Sequence, residues 1–370
     1  MRIGVDAREL CGRATGVGRY LAGLLAEWSA DDRAKRHEFV LYAHDDIPLV
    51  LDSRRFATRT VPGAGGTWWE QIQLPRVVAR DRLDVWFSPA YSAPLRVDLP
   101  IVVAIHDLSF VAHPEWFGIT EGARRRLLVR RAANKARAIV TISDFSRREL
   151  IERLDVPPAK IHVIQPGIGL PDVRRATVNS QPFTIPPQPS TLSHKVLYVG
   201  SIFNRRHVPD LIRAFAPMAR TRPDVSLDIV GDNRSHPAED LSRVIASEQM
   251  DRHVRWHHYV DEARLRRMYA EARAFAFLSE YEGLGLTPLE ALDAGVPPVL
   301  LDTPVARESC GDAALYVAPN DLAGTTRALE AALFSESARA RLLAAAPAVL
   351  SRYSWPRAAA ETLEVLERSV

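Results

Sequence analysis

The sequence has few cysteines, few lysines and no long apolar segment. Only Cys11 and Cys310 are available for a disulfide, which argues against a disulfide-stabilised secreted fold and favours a reducing cytoplasm. No segment approaches the roughly 20 apolar residues that a membrane-spanning helix requires. Asp6 and Glu9 interrupt the N-terminal stretch where a secretory signal would be apolar. We therefore expect a globular protein of the cytoplasm.

A large excess of one charge is also missing. The 370 residues include 48 lysines and arginines against 45 aspartates and glutamates, so the net charge is only +3. Arginine supplies 44 of the basic residues and lysine 4, but the acidic side chains nearly cancel them, which argues against a nucleic-acid-binding protein. Residues 1–175 carry 27 basic and 21 acidic side chains, whereas residues 176–370 carry 21 and 24. We therefore expect the first half to meet any anionic surface.

A proline-rich segment divides the chain into two similar halves. Residues 171–194 contain five prolines and little hydrophobic periodicity, as expected for a linker. On each side of it, short apolar runs alternate with amphipathic segments of helix length. The runs predicted as strands are residues 2–5, 38–42, 85–87, 101–105, 138–142, 161–164, 196–199, 226–230, 274–278, 298–301 and 314–317.

This alternation predicts an α/β protein with two doubly wound, Rossmann-like domains, because strands joined by crossover helices form parallel sheets. We assign the first domain to residues 1–170 and the second to residues 195–354. Ligands of such domains bind at the carboxyl ends of the strands. We therefore expect the two domains to face a central cleft.

Glycines follow the first predicted strand. Gly12, Gly16 and Gly18 lie in an expected loop before a helix that begins near Arg19. Glycines there let the backbone approach a ligand, and a helix N-terminus offers free N–H groups to an anion. The third glycine of the dinucleotide fingerprint is missing, which argues against an NAD site. A turn that binds nothing is the alternative interpretation of these glycines.

His106 follows the apolar run 101–105 directly. A side chain at the carboxyl end of a parallel strand is well placed for ligand chemistry. A histidine that only caps a turn is the alternative.

The strongest pattern lies in the second half. Arg205 and Arg206 lie in the loop after the run 196–199, where two guanidinium groups can grip a diphosphate. Glu282 lies in a glycine-containing loop and Glu290 eight residues later in the next predicted helix. Carboxylates in these places can accept hydrogen bonds from sugar or ribose hydroxyls. Each of the four side chains, taken singly, is also compatible with a solvated surface.

Residues 120–137 form a predicted helix with a strongly basic surface. Its apolar face consists of Val129, Ala132, Ala133 and Ala136, and basic side chains flank that face on both sides. Such a helix is suited to peripheral association with an anionic membrane or to a lipid-diphosphate acceptor. A crossover helix packed on its own sheet, with a solvated basic rim, is the alternative.

Together these motifs resemble the retaining nucleotide-sugar glycosyltransferases of family 4, which have the GT-B architecture. The resemblance spans almost the whole chain. WWEQIQLP at 68–75 and HPEWF at 113–117 are similar to the mannosyltransferase-like branch. The motifs that carry the family resemblance are the E-x7-E block from Glu282 to Glu290, the G-x4-R-[RK] pattern from Gly200 to Arg206, GVGRY at 16–20, HDLSF at 106–110, TISDFSRREL at 141–150 and YSWPRAAAETLEVL at 353–366.

The resemblance implies roles for the candidate residues of both halves. It places Gly16 and Gly18 near the donor phosphates and the acceptor, and it places His106 against the donor sugar near its reacting carbon. Arg205 and Arg206 would neutralise the departing nucleoside diphosphate, although the second position is commonly lysine in the family.

The resemblance also implies that Glu282 holds the sugar hydroxyls and that Glu290 holds the ribose hydroxyls. Backbone N–H groups for the sugar or phosphate would come from Gly285, Leu286 and Thr287. The terminal helix, residues 355–370, would cross back to the first domain.

The implied function is transfer of a sugar from a nucleotide donor, with GDP-mannose preferred, to a glycan or lipid-linked acceptor in polysaccharide or glycoconjugate biosynthesis. The anomeric configuration would be retained. The sequence contains no D-x-D motif, and two arginines are available for the diphosphate, so we expect neither a metal nor another cofactor. A UDP- or dTDP-sugar donor and a non-catalytic sugar-binding subunit are the alternatives.

Overall fold

The computed structural model describes residues 1–12, 15–169 and 194–370. These residues form two compact units. Residues 1–114, 119–169 and 353–370 belong to the first unit, and residues 115–118 and 194–352 belong to the second. The predicted linker over 171–194 lies outside the described residues apart from His194, which begins a strand.

The first unit is built on a sheet of seven parallel strands. Across the sheet the strands follow the order β3-β2-β1-β4-β5-β6-β7. Every residue of β4, β5 and β6 is buried, which explains why these strands read as nearly unbroken apolar runs. The strands are β1 Arg2–Asp6, β2 Glu38–Ala43, β3 Phe56–Thr60, β4 Val85–Ser88, β5 Ile101–Ala104, β6 Ala138–Thr141 and β7 Ile161–Val163.

The helices between these strands begin at capping residues or pack through an apolar face. Thr15 caps the first helix, and its Oγ1 accepts a hydrogen bond from the N–H of Gly18 over 2.9 Å. Ser143 caps the fifth helix in the same way. The helices are α1 Gly16–Ala30, α2 Leu74–Val78, α3 Ser109–Ala112, α4 Ile119–Lys135 and α5 Asp144–Leu154, and a π-helical turn, Trp69–Gln73, leads directly into α2.

The second unit contains a six-stranded parallel sheet of order β10-β9-β8-β11-β12-β13. Its strands are β8 His194–Val199, β9 Val225–Val230, β10 Val254–His257, β11 Ala274–Phe277, β12 Pro298–Leu301 and β13 Leu315–Val317. Its helices are α6 Val208–Thr221, α7 Leu241–Ser247, α8 Glu262–Glu271, α9 Leu286–Asp293, α10 Pro304–Cys310, α11 Leu322–Phe334 and α12 Glu336–Leu350.

The last helix, α13 Trp355–Arg368, packs within the first unit. The indole N–H of Trp28 donates to the carbonyl oxygen of Ala359 over 2.9 Å. At the other end of the helix, Glu367 forms ion pairs with Arg33 and Arg36 at 2.5 and 2.7 Å. Residues from the two ends of the chain therefore share one core.

The prediction of two doubly wound α/β domains is confirmed. The predicted runs omitted β3 and β10, and each of these strands lies at the edge of its sheet. In β3 only Phe56 is buried, and in β10 only Val254 is buried. Edge strands carry polar residues because one side of the strand faces solvent, so neither strand shows the apolar run used for the prediction.

The strand order of each sheet reverses once. The reversal lies between β1 and β4 in the first sheet and between β8 and β11 in the second. Ligands of open α/β sheets bind beyond the carboxyl ends of the strands at such a reversal.

None of the helices within the described ranges is long and apolar enough to cross a membrane.

Candidate functional site

Arg205 and Arg206 lie just beyond the carboxyl end of β8. They occupy a single 3-10 turn, Asn204–Arg206, which precedes α6. Gly200 has a φ of +151°, and a β-carbon at this position would lie 2.8 Å from Nη1 of Arg206. The glycine of the G-x4-R-[RK] pattern thus leaves the space that the guanidinium group fills.

Arg206 forms an ion pair with Glu282, which follows β11, and the two side chains are only 13 % and 16 % exposed. Its Nε donates to Oε1 of Glu282 over 2.7 Å, and its Nη1 donates to the carbonyl oxygen of Ser201 over 2.8 Å. The guanidinium carbon also lies 4.9 Å from the ring centroid of Phe277. The resemblance implied separate donor contacts for Arg206 and Glu282, and the structure shows that the two side chains bind each other.

The ion pair keeps Glu282 charged. Burial by itself raises the pKa of this carboxyl group, but Arg206 and Arg205 outweigh that effect and hold the pKa below its ordinary value. A hydrogen bond from Ser279 Oγ to Oε1 over 2.8 Å acts in the same direction. Burial alone would lower the pKa of Arg206, but the negative charge of Glu282 outweighs burial, so the pKa is raised. A charged acceptor therefore lies beside charged donors at neutral pH.

Arg205 has no carboxylate partner within the described part of the chain. The residue is only 9 % exposed, and its Nε is buried without a hydrogen-bond partner among the described residues. A buried N–H without a partner is costly, and an anionic ligand would supply an acceptor. The N–H of Glu280 donates to the carbonyl oxygen of Arg205 over 2.9 Å. This bond ties the loop after β11 to the turn after β8.

Glu290 lies in α9, which follows the loop that carries Glu282. Gly285 precedes the helix with a φ of +88°, and Leu286 and Thr287 are its first two residues. The phenolic OH of Tyr269 donates to Oε2 of Glu290 over 3.1 Å. The first N–H groups of α9 and two carboxylates are therefore presented by one short segment at the reversal of the second sheet.

In the first unit, part of the segment expected to be a glycine-containing loop forms the start of α1. Gly16 and Gly18 lie in the first turn of α1, so the prediction that the helix begins near Arg19 is wrong by three residues. Glycine is a weak helix former, and the cap from Thr15 outweighs that preference. A β-carbon at Gly18 would lie 2.3 Å from the carbonyl oxygen of Glu9, whereas no described atom lies within 4 Å of that position at Gly16.

His106 follows β5 and is oriented by the segment after β4. Its Nε2 lies 2.9 Å from the carbonyl oxygen of Pro89, which can only accept, so Nε2 carries the proton. Burial lowers the pKa of His106 to about 4, and the ring of Tyr20 packs against it with centroids 4.5 Å apart. Nδ1 is buried without a hydrogen-bond partner among the described residues. His106 is therefore a neutral hydrogen-bond acceptor.

The sequence-based prediction missed a buried charge cluster at the carboxyl end of β1. Arg8 pairs with Asp6 over 2.9 Å and also with Glu70, and the hydroxyl of Ser92 donates to Glu70 over 2.6 Å. Asp6 and Glu70 are 2 % and 1 % exposed. Burial, partly offset by Arg8, raises the pKa of Asp6 to about 6. Charged residues inside the apolar stretches IGVDARE and WWEQI are the signal that points to this cluster.

No group of three or more His, Cys, Asp or Glu side chains that could hold a metal ion occurs in residues 1–12, 15–169 and 194–370.

Comparison with known families decides the family of the chain. Residues 14–170 match the family described as Glycosyltransferase Family 4, and residues 187–349 match the one described as Glycosyl transferases group 1. The chain is a family 4 glycosyltransferase. The resemblance of the motifs to family 4 is confirmed.

This glycosyltransferase is similar to known proteins over most of its length. It is 28 % identical over 343 residues to O-antigen chain mannosyltransferase B of Escherichia coli, an alignment that covers 91 % of this chain and 85 % of that protein. It is 27 % identical over 280 residues to glycogen synthase of Mycobacterium tuberculosis strain H37Rv, which covers 75 % of this chain and 65 % of the relative. Its fold is similar to that of Alr3699/HepE of Anabaena in complex with UDP-glucose, with a TM-score of 0.74, 18 % identity and 100 % coverage of both chains. The family 4 glycosyltransferase thus has the GT-B fold.

Proposed function

We propose that this family 4 glycosyltransferase transfers mannose from GDP-mannose to a glycan or lipid-linked acceptor with retention of the anomeric configuration. The observation that carries the proposal is the arrangement of Arg205, Arg206 and Glu282 at the reversal of the second sheet. The choice of mannose is supported by the similarity to O-antigen chain mannosyltransferase B.

The arginines act on the leaving group. When the bond between the anomeric carbon and the phosphate oxygen breaks, the diphosphate gains negative charge and the sugar gains positive charge. Arg205, whose Nε lacks a partner among the described residues, donates to the diphosphate. Arg206 adds positive potential and holds Glu282 in place. These two positive charges stabilise the leaving diphosphate, as a metal ion does in other transferases. We therefore propose a reaction that needs no metal.

The carboxylates position the donor. Glu282 stays ionised and accepts hydrogen bonds from the hydroxyls of the sugar. Glu290 accepts hydrogen bonds from the ribose. The N–H groups at the start of α9, from Gly285, Leu286 and Thr287, bind the sugar or the phosphate.

Two residues of the first unit are proposed to contact a substrate. Nδ1 of His106, which has no hydrogen-bond partner among the described residues, accepts a hydrogen bond from a sugar hydroxyl. Gly16 leaves open space at the start of α1 for the substrates, whereas Gly18 serves the packing of α1. The acceptor oxygen bonds to the anomeric carbon on the face that the phosphate leaves, and its proton passes to the leaving phosphate.

A UDP- or dTDP-sugar is the alternative donor. The crystal structure of HepE with UDP-glucose favours a uridine nucleotide for that protein, and its fold is shared by this chain. A thermal-shift panel of GDP, UDP, dTDP and their sugars at about 1 mM tests the choice, because a ligand that binds only the native state raises its stability. We expect GDP-mannose to give the largest shift. A shift with UDP-sugars alone would support the alternative donor.

A transfer assay with the preferred donor separates the enzyme from a non-catalytic subunit. We expect release of GDP in the presence of acceptor glycans, unchanged by EDTA, and an α-linked product by NMR. Arg205→Met removes the proposed leaving-group contact, and Arg220→Met is a matched control because Arg220 is exposed and paired with Glu248. Donor binding without release of GDP would contradict the transferase. An inverted anomeric configuration in the product would contradict the proposed retention but not the proposed transfer.

A further inference from the structure

His207 lies between the turn that carries Arg205 and Arg206 and the helix α6. Its backbone is left-handed, with a φ of +47°, and its carbonyl oxygen accepts a hydrogen bond from the N–H of Leu211 over 2.9 Å. Histidine is one of the few residues besides glycine that adopt this conformation with some frequency. The backbone that places the two arginines therefore also places the His207 side chain.

Both nitrogens of the His207 ring face carboxylates. Nδ1 lies 3.1 Å from Oδ2 of Asp210 in α6, and Nε2 lies 2.8 Å from Oε1 of Glu280 in the loop after β11. An ionised carboxylate can only accept a hydrogen bond, whereas a neutral imidazole carries a single N–H. Both contacts are therefore favourable together only when the ring carries two protons and a positive charge.

The contact with Glu280 depends on this charge in particular. Nε2 has no aligned hydrogen bond to any atom of the described residues, so its attraction to the carboxylate comes from opposite charges. Glu280 forms no ion pair with another residue in the part of the chain that the structure describes. Its N–H donates to the carbonyl oxygen of Arg205 over 2.9 Å. Glu280 therefore joins the loop after β11 to the turn after β8 through both its main chain and its side chain.

Other charged groups surround the ring. Asp210 also pairs with Arg213, whose Nη1 lies 2.7 Å from Oδ1. Burial raises the pKa of Glu239, in the segment after β9, and the positive charge of His207 partly offsets that rise. Two residues of opposite charge near the start of α7 line the same cavity as His207, Asp240 and Arg243. A positive charge at His207 thus has acidic groups from three separate segments around it.

We propose that protonated His207 is a positioning residue that holds the turn Asn204–Arg206 against the loop after β11, and that loss of its proton weakens the contact of Arg205 with the diphosphate. The inference rests on the proposed function, because that function assigns Arg205 to the diphosphate. Histidine ordinarily changes its charge between about pH 5 and 8. The contact with Glu280 is therefore strongest in mild acid and weakens as the pH rises through the neutral range.

The Kd values for GDP and UDP, measured by calorimetry on the full chain at pH 6 and pH 8.5, test this role. His207→Asn removes the charge, and asparagine also adopts the left-handed conformation. We expect its Kd to exceed that of the unchanged protein about five-fold at pH 6 and to match it at pH 8.5. The ratio of the two Kd values cancels the titration of the nucleotide itself. Glu280→Gln should give the same pattern, because it removes the opposite charge.

His194→Asn is the matched control. The side chain of His194 is 21 % exposed, against 24 % for His207, and it also contacts a carboxylate, that of Asp224. His194 begins β8 and therefore lies at the end of the strand opposite to the turn. The Kd of this variant should match that of the unchanged protein at both pH values. A ratio near one for His207→Asn at pH 6, or the same ratio at pH 6 and pH 8.5, would overturn the proposal.

Hydrogen exchange of the nucleotide-free protein separates this inference from the proposed function. The N–H of Glu280, which donates to Arg205, should exchange about five-fold faster in His207→Asn than in the unchanged protein at pH 6, and equally fast at pH 8.5. If neither nucleotide binds while this N–H exchanges faster in the variant, the proposed function fails and the positioning role of His207 stands. If a nucleotide binds and the exchange rates are equal at pH 6, the positioning role fails.

Discussion

Arg206 and Glu282 are 76 positions apart in the chain, and their side chains are 2.7 Å apart in the structure. The first residue follows β8 and the second follows β11, so the ion pair bridges the two strands at which the sheet order reverses. The pair therefore belongs both to the proposed donor site and to the packing that shapes it.

Removal of one partner of this pair should cost stability as well as activity. We expect Arg206→Met or Glu282→Gln to lower the free energy of unfolding by about 3 kcal/mol, because the remaining charge is buried without its partner. The double variant should lose less than the sum of the two single losses. Urea unfolding of the four proteins measures this coupling. The exposed pair Arg266 and Glu262 is the control, with an expected coupling below about 0.5 kcal/mol. Strict additivity at Arg206 and Glu282 would show that the pair contributes no coupling.

Glu290 should affect nucleotide binding more than folding. We expect Glu290→Gln to raise the Kd for GDP roughly 10-fold, because a charged acceptor of ribose hydroxyls is replaced by a neutral one. Isothermal titration calorimetry with GDP measures the change. Tyr269→Phe removes one hydrogen bond to the same carboxylate but keeps the carboxylate, so it should leave the Kd within about 3-fold. An unchanged Kd for Glu290→Gln would remove Glu290 from the ribose.

His106 should make stability depend on pH. Burial lowers its pKa in the folded protein to about 4 from an ordinary value of 6.5, so the unfolded chain binds the proton more readily between these values. This contribution to stability is complete above pH 6.5 and is lost as the pH falls toward 4. We expect a loss of about 2 kcal/mol over this window, because the ring is not completely enclosed.

Urea unfolding of the unchanged protein and of His106→Gln across this pH window checks the prediction. The difference in unfolding free energy between the two proteins should shrink as the solution is acidified. A constant difference would mean that His106 titrates alike in the folded and unfolded states.

Glu367 should hold α13 in place through two arginines and a histidine that contact its carboxylate. Arg33, Arg36 and His37 contact its carboxylate at 2.5, 2.7 and 2.9 Å. Burial raises the pKa of Glu367, but the hydrogen bonds from these residues lower it to about 2. The stabilisation is therefore present above pH 4.5 and is lost as the pH falls through 2.

Glu367→Gln should lower the free energy of unfolding at pH 7 by about 1 to 2 kcal/mol, measured with urea. Glu364→Gln is the matched control in the same helix, because Glu364 pairs only with the exposed Arg368 among the described residues. The control should change stability by less than about 0.5 kcal/mol. Equal effects of the two substitutions would show that the cluster around Glu367 adds nothing.

The sequence predicted the fold class and most strands because those features depend on local patterns. Runs such as 101–105 and 138–142 are apolar since both faces of their strands are buried in a parallel sheet. The edge strands β3 and β10 escaped prediction because they are half exposed. Glycine content alone places Gly16 and Gly18 in a loop, whereas the cap of Thr15 starts the helix at Gly16.

The sequence by itself determined which residues lie at the ends of which strands, and so brought Arg205, Arg206, Glu282, Glu290 and His106 into consideration. Only the tertiary structure decided which of these side chains contact each other. Arg206 binds Glu282, and Arg8 joins Asp6 to Glu70, because packing of distant segments brings charges into a buried place where each requires a partner. Tertiary structure also decided that Trp69 is core and Trp68 is surface, a difference that two adjacent identical residues cannot show.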